Sequence, residues 1–396
     1  MSKVIAVIGS GYGDEGKGLM TDYFASNIED SVVVRSNGGA QAGHTVVTPE
    51  GQRHVFSHIS SGSFIGRTTY LSEYFVANPL LLSKELKIFN EVSNGSEVKI
   101  WAHPNMLITT PFDMLLNQRF EKSRGEDLHG SVGVGFGETI ERAKTFSSLI
   151  FNDLGSFTDE GLFAFMDKIR TKYVPTRVDM NKVSPAFIEV LNNDQMIYEF
   201  IDQVRLMESM IDQFDYRMLK DKPLIFEGAQ GLLLDQDYGH FPHVTRSNCG
   251  MRNISAILDQ IPGEHDVTVN YVTRAYSTRH GAGPLYDEDS LLFDKYDIVD
   301  KTNVKNDWQG ELRIAPLNYD LFESVTDKDF ALYAPVGAKR VSTITCLDQL
   351  KGSVHVYTNG HAHNIDPNVF KQQIVPQLFQ YQSYGPTRDN VVSTDG

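Results

Sequence analysis

Short apolar runs rich in β-branched residues punctuate the chain: Val4–Ile8, Ser31–Val34, Val98–Trp101, Leu224–Phe226, Val267–Val272, Arg340–Thr345 and Val354–Tyr357. Several are apolar without alternation, the pattern of strands covered on both faces of a largely parallel sheet. Between them the apolar positions move to helical spacing. The clearest stretch runs from about Ser184 to Leu219, where Phe187, Leu191, Ile197, Phe200, Ile201, Val204, Met207, Ile211 and Phe214 recur every three or four residues. Such a stripe reads as core or subunit contact, not as a ligand site. Neither an internal repeat nor a low-complexity linker divides the chain. The pattern predicts an α/β fold: one large domain over residues 1–396, with a mostly parallel central sheet, helical insertions and a P-loop-like glycine-rich loop after the first strand.

Composition narrows the partners. With 51 acidic against 36 basic residues the net charge is −15, which disfavours nucleic acid and anionic membrane surfaces. A small phosphorylated ligand in an amide-lined pocket stays compatible with that charge. Two cysteines, Cys249 and Cys346, fit a reducing compartment. No apolar run reaches the ~20 residues of a membrane span, and Met1-Ser2-Lys3 followed by Val4–Ile8 lacks a signal-peptide pattern. A cytoplasmic globular protein is expected.

The chemistry gathers at the ends of the apolar runs. Gly9-Ser10-Gly11-Tyr12-Gly13-Asp14-Glu15-Gly16-Lys17-Gly18 follows the first strand and precedes an apparent helix near Leu19. Glycines allow a sharp turn and present amides at a helix N-terminus, where phosphate is favoured. Gly11-x-Gly13-x-x-Gly16 approaches a dinucleotide fingerprint, but Arg35-Ser36-Asn37 stands where an acidic ribose ligand belongs. Gly11-x4-Gly16-Lys17 approaches a Walker loop, but Gly18 replaces the magnesium-binding Ser or Thr. A plain strand–helix turn is the structural alternative; the density of Asp14, Glu15 and Lys17 favours phosphate and metal chemistry.

After the second strand comes Asn37-Gly38-Gly39-Ala40-Gln41-Ala42-Gly43-His44-Thr45. If the two strands are neighbours, Asp14 and His44 face one another across a pocket as base and acid. Phe226–Gly231, Ala275–Pro284 and Thr345–Asp348 also end apolar runs in polar, mostly glycine-flanked residues. Each alone reads as a satisfied strand end; together they argue for one extended nucleotide site.

These segments, with Leu233-Leu234-Asp235 and Ser383-Tyr384-Gly385-Pro386-Thr387-Arg388, resemble the adenylosuccinate synthetase family in order and over nearly the whole chain. The segment from about Phe146 to Lys220 matches no motif of that family. The resemblance implies a Mg²⁺- and NTP-dependent ligase that joins L-aspartate to C6 of a 6-oxopurine 5′-monophosphate through a 6-phosphoryl intermediate. It implies Asp14 and His44 as catalytic residues, and Asp14 with the Gly43 carbonyl as metal ligands. Gly13, Glu15, Gly16, Lys17, Gly18, Thr45, Asp348, Ser383, Tyr384 and Gly385 match the triphosphate site. Asp14, Gln41, Ser131, Val132, Gln230, Leu234, Thr245 and His280 match the monophosphate site. A cytoplasmic homodimer is implied as well.

Departures from the family pattern shape the substrate expectation. Cys346-Leu347-Asp348 replaces a Lys-Leu-Asp triplet that reads the donor base, so ATP or dATP is expected to serve beside GTP. The Arg-rich aspartate loop gives way to Asn303–Arg313, which leaves Lys305 and Arg313 as the cations for aspartate. The arginine a neighbouring subunit usually supplies has no clean match, with Arg142 only nearby. Gln41 and Val132 stand for Asn and Thr. These changes resemble the archaeal and phage branch, parts of which act on dGMP to make 2-aminoadenylosuccinate deoxynucleotides; retained Asp14 points back toward IMP. The expectation leans to dGMP, with IMP as the alternative. A dinucleotide-dependent oxidoreductase is the rival from another class, and the missing acidic residue after the second strand counts against it.

Overall fold

The computed structural model describes residues 1–124, 132–298 and 311–394. Ten strands build the main sheet: β1 (Ser2–Gly9), β2 (Val32–Arg35), β3 (Thr68–Leu71), β4 (Ile100–Ala102), β5 (Ile211–Gln213), β6 (Leu224–Gly231), β7 (His265–Arg274), β8 (Lys339–Thr345), β9 (Tyr381–Ser383) and β10 (Val391–Ser393). Their order across the sheet is β10-β9-β8-β7-β1-β6-β2-β3-β4-β5. Every neighbouring pair is parallel except β9 with β10. A mostly parallel α/β domain is therefore what the apolar runs encode.

β1 lies at the centre because both its faces are apolar. Val4, Ala6 and Ile8 pack into one core with Phe226 and Val269. Ile5 and Val7 pack into another with Met20 and Phe24 of α1 (Lys17–Asn27). One expectation is corrected here: β1 and β2 are not neighbours. β6 runs between them, so the end of a third strand separates the two glycine loops at the shared carboxyl edge.

The long helical stretch is also broken. It contains a helix Pro185–Leu191 and a second, Asp194–Met210, whose start is capped by the Asn193 side chain accepting from the Gln195 amide. At Ile211 the backbone turns extended and joins the sheet edge beside Ile100 as β5. Ile211 and Phe214 therefore do not continue the helical face. The stripe itself is core, with Phe200, Val204 and Met207 buried in one cluster with Leu82 and Phe89. Val354–Tyr357 falls outside the main sheet. It belongs to a smaller sheet ordered Tyr276–His280, Leu312–Asn318, Val354–Thr358, His361–Ile365. Among the described residues no helix is long and apolar enough to cross a membrane.

Candidate active site

The glycine loop after β1 wraps around its own carboxylate. Glu15 accepts from the Gly11 and Gly13 amides at 2.9 Å each, and Lys17 Nζ reaches it at 2.6 Å while donating to the Gly13 carbonyl at 2.5 Å. Both side chains are buried, so the pair stiffens the loop from within. Gly13 and Gly16 take φ of +127° and +97°, backbone that a side chain would strain. Gly18 has a packing reason: a Cβ there would sit 3.0 Å from His44 Cβ and 3.1 Å from the Thr45 carbonyl. Where a Walker loop carries a metal-binding hydroxyl, this chain brings helix and strand together.

The loop is also held from outside. Thr345 Oγ1, at the end of β8, donates to the Glu15 carbonyl at 2.7 Å, and Arg274 Nε, at the end of β7, donates to the Asp14 carbonyl. Asp14 is half-buried and lines a cavity shared with Thr273, Arg274, Tyr276, Ser277 and Thr278. No donor among the described residues bonds its carboxylate. A carboxylate kept without a protein partner suits a base or a metal ligand, so the donor set fits the expected Mg²⁺. The other implied ligand, Gly43, has an exposed backbone immediately before His44.

His44 opens a short hairpin, His44–Val47 against Arg53–Phe56. Its Nδ1 lies 2.5 Å from Glu227 Oε1 and its Nε2 3.2 Å from the Ala229 carbonyl, both on β6. Glu227 is fully buried and also accepts from Ser61 Oγ at 2.5 Å, with the Arg35 guanidinium 3.3 Å away. Burial alone would raise the Glu227 pKa, but Arg35, His44 and Ser61 outweigh it and hold the carboxyl at about 2. Burial pulls the His44 pKa below its ordinary value and Arg35 and Lys17 add to that, against the opposing pull of Glu227. Both ring nitrogens face acceptors, so the geometry orients the imidazole as a proton donor. Asp14 is tied toward β7 and His44 toward β6, and His44 is not part of the lining of the Asp14 cavity.

Other expected site residues divide. Gln230 Oε1 would lie 3.2 Å from a Cβ on Gly13, which puts it directly over the loop. Thr245 donates its amide to the Leu234 carbonyl at 2.8 Å, joining those two residues. Both amide atoms of Gln41 are buried without a hydrogen-bond partner, and Gln41 Oε1 sits beside Gly39. Val132 is half-buried, and Ser131 and Lys305 lie outside the described residues. At the donor end, Ser383 Oγ donates to the Gly385 carbonyl at 2.7 Å and the Tyr384 amide to Asn390 at 3.0 Å. β9, which carries Ser383, pairs with β8, and Asp348 sits in the Leu347–Gln349 turn just past the β8 end. His280 ends the Tyr276–His280 strand opposite Leu312.

Two arginines are engaged within the chain itself. Arg313 donates Nε to Glu288 at 3.0 Å and Nη1 to the Gly283 carbonyl at 2.6 Å and the Gly281 carbonyl at 3.2 Å, with Nη2 also on Glu288. Its guanidinium thereby organises the 281–288 loop. Arg142 is fully buried on Asp113 and the carbonyls of Ile108 and Ser147.

Sequence reasoning passed over Glu227, Arg35, Ser61 and Arg274. The signal for Glu227 was present: a carboxylate inside the apolar run Leu-Ile-Phe-Glu-Gly must find a charged partner if that strand is buried.

A parallel sheet that converges a glycine loop, a free carboxylate and a carboxylate-backed histidine on one edge defines an α/β nucleotide enzyme. Comparison sharpens this. The family profile for adenylosuccinate synthetase matches residues 6–305. The chain is 31% identical over 355 residues to the adenylosuccinate synthetase of Limosilactobacillus reuteri, covering 88% of this chain and 76% of that protein. It is 32% identical over 293 residues to that of Thermoplasma acidophilum, covering 72% of this chain but only 63% of that protein. Among solved structures, a fully ligated adenylosuccinate synthetase from Plasmodium falciparum superposes with a TM-score of 0.73 at 17% identity, over 98% of this chain and 99% of that one. The cyanophage S-2L succinoaminodeoxyadenylate synthetase (PurZ), bound to dGMP and dATP, gives 0.63 at 16% identity, over 100% and 96%. These two show the fold. The chain belongs to the adenylosuccinate synthetase family, C–N ligases of purine biosynthesis.

Proposed function

We propose that this chain, acting as one domain and as a homodimer, uses a nucleoside triphosphate to join L-aspartate to C6 of a 6-oxopurine 5′-monophosphate. The observation that carries the reading is Asp14, half-buried at the centre of the glycine loop, with no donor to its carboxylate among the described residues. Asp14 takes the N1 proton of the purine, and O6 then attacks the γ-phosphate. His44, held by Glu227, donates to the oxygen that gains charge in that transfer. The amine of aspartate next attacks C6 and phosphate leaves. Phosphoryl transfer asks mainly for positioning and charge neutralisation, which the buried loop and His44 supply. Mg²⁺ would rest on Asp14, the Gly43 carbonyl and nucleotide oxygens, since no cluster of three metal-ligating side chains exists among the described residues. When bound, it neutralises phosphate charge.

As acceptor we assign dGMP. The support is the remodelled monophosphate loop, with Gln41 unpartnered and Val132 for threonine, together with the fold shared with the S-2L enzyme. IMP is the second reading. It is favoured by retained Asp14 and by relatives named as ordinary adenylosuccinate synthetases, including the structure with the higher TM-score. Purified protein with aspartate, Mg²⁺, ATP or GTP, and either dGMP or IMP separates the readings by phosphate release and product mass. Aspartate-dependent release with dGMP and a succinylated 2-amino product is expected. Turnover of IMP alone moves the acceptor to the second reading, and no release with either nucleotide removes the ligase.

A further inference from the structure

The loop that carries Asp14 is clamped at two successive carbonyls, and one clamp reaches further than the loop. β7 and β8 pair in parallel with Arg274 opposite Thr345, so both residues end at the same edge. Thr345 takes the Glu15 carbonyl and Arg274 the Asp14 carbonyl. The Arg274 guanidinium also lies 5.7 Å from the centre of the Tyr276 ring. The Tyr276 hydroxyl in turn donates to Gln349, in the Leu347–Gln349 turn that holds Asp348. A continuous contact path thus runs from the peptide of Asp14, through Arg274 and Tyr276, to the turn expected to read the donor base.

We propose that Arg274 is a positioning residue that aims the Asp14 carboxylate and links it to the donor-base turn. The inference rests on the reading of Asp14 as the base. With no donor on the carboxylate among the described residues, its direction is set by the peptide behind it, and Arg274 holds that peptide. Arginine suits the task better than lysine. Its planar group bonds the carbonyl through one edge while lying against an aromatic ring, whereas an ammonium is a single point of charge. Arg274 contributes no proton and needs no contact with substrate.

The test is a double-mutant cycle on the purified enzyme, using whichever of IMP or dGMP supports aspartate-dependent phosphate release. Arg274→Met should lower kcat on the order of 10–100-fold, the scale of a small misplacement of a reacting group. KM for aspartate should change less than twofold, and circular dichroism should show the native fold. Arg274→Lys should recover part of the loss by restoring the carbonyl bond. On an Asp14→Asn background, Arg274→Met should cost less than twofold more, because the residue acts through Asp14. If Asp14→Asn keeps wild-type kcat, the base reading fails first. If Asp14→Asn is inactive while both Arg274 variants keep kcat within twofold, the positioning role is overturned. Should Arg274→Met not fold, Arg274→Gln carries the same comparison.

Discussion

Glu227 Oε1 lies 2.5 Å from His44 Nδ1, and this contact joins the second glycine loop to the middle of the sheet. β6 places the carboxylate with no exposed surface, and Arg35 and Ser61 fix it from the other side. An imidazole backed in this way keeps one orientation. Glu227→Gln conserves volume but removes the charge that faces the ring. Phosphate release should fall on the order of 10²-fold with the far-UV spectrum unchanged. A variant within threefold of wild type would remove Glu227 from the mechanism.

Acid stability follows from the same carboxylate and from Glu85. Burial would raise the Glu85 pKa, but the His54 and His58 imidazoles and the Ser57 amide outweigh it and hold it at about 2. The Ser57 and His58 amides and His58 Nδ1 approach it at 2.7–2.9 Å. Both folded-state values lie below those of the unfolded chain, about 4.3 for Glu. Their stabilisation is therefore complete above that value and is lost as pH falls toward about 2. Melting temperature should drop steeply as pH falls from about 4 toward about 2, and Glu85→Gln should shallow that drop while lowering Tm at neutral pH. A wild-type Tm unchanged between pH 5 and 3 would contradict the assignment.

Gly231 tests whether the loop's internal packing matters. A Cβ there would meet the Gly11 carbonyl oxygen at 2.1 Å and Glu15 Oε1 at 2.3 Å. The first contact is backbone, so no rotamer change relieves it. Gly231→Ala should destabilise the protein by about 2–4 kcal/mol and displace Glu15 from the loop amides. Urea denaturation measures the first effect and nucleotide binding the second. A variant equal to wild type in both would show that the loop tolerates opening there.

Legibility differed by kind of residue. β1, β2 and the β6–β8 core were readable because a strand buried on both faces is a continuous apolar run. β5 and β9 are three residues each, too short for a period to show, and β5 was read as helix because Met207 and Ile211 keep helical spacing. The glycine-rich turns marked the site since their composition is local. What could not be read was strand order, so β6 between β1 and β2 went unseen, and with it the partnership of His44 with Glu227. The partner of Arg313 was hidden for a related reason: its fork suits a carboxylate, and only the fold shows that Glu288 is beside it.

The donor base offers the last expectation. A guanine O6 is an acceptor, and the usual lysine of the donor triplet would place a cation against it. Here the position is Cys346, in left-handed backbone with φ of +62°, its sulfur 3.8 Å from Thr345 Oγ1 and turned toward the strand end. That geometry offers no cation to the base edge. Nearby, Ser383 is buried and bonded to Gly385, and a Cβ on Gly385 would lie 2.5 Å from Asn390 Oδ1. The base is then expected to be met mainly by backbone groups and by Asp348, which is exposed at the turn. Backbone groups can serve the 6-amino edge of adenine as well as guanine, so discrimination should be weak. We expect kcat/KM for ATP or dATP to equal or exceed that for GTP, measured by phosphate release at saturating aspartate and monophosphate. Cys346→Lys should shift the ratio toward GTP by about tenfold, the scale of one charge-assisted hydrogen bond. A wild-type preference for GTP of 10⁴-fold, the scale of a site built around hydrogen bonds to one substrate, would show that the guanine edge is read by groups other than the missing lysine.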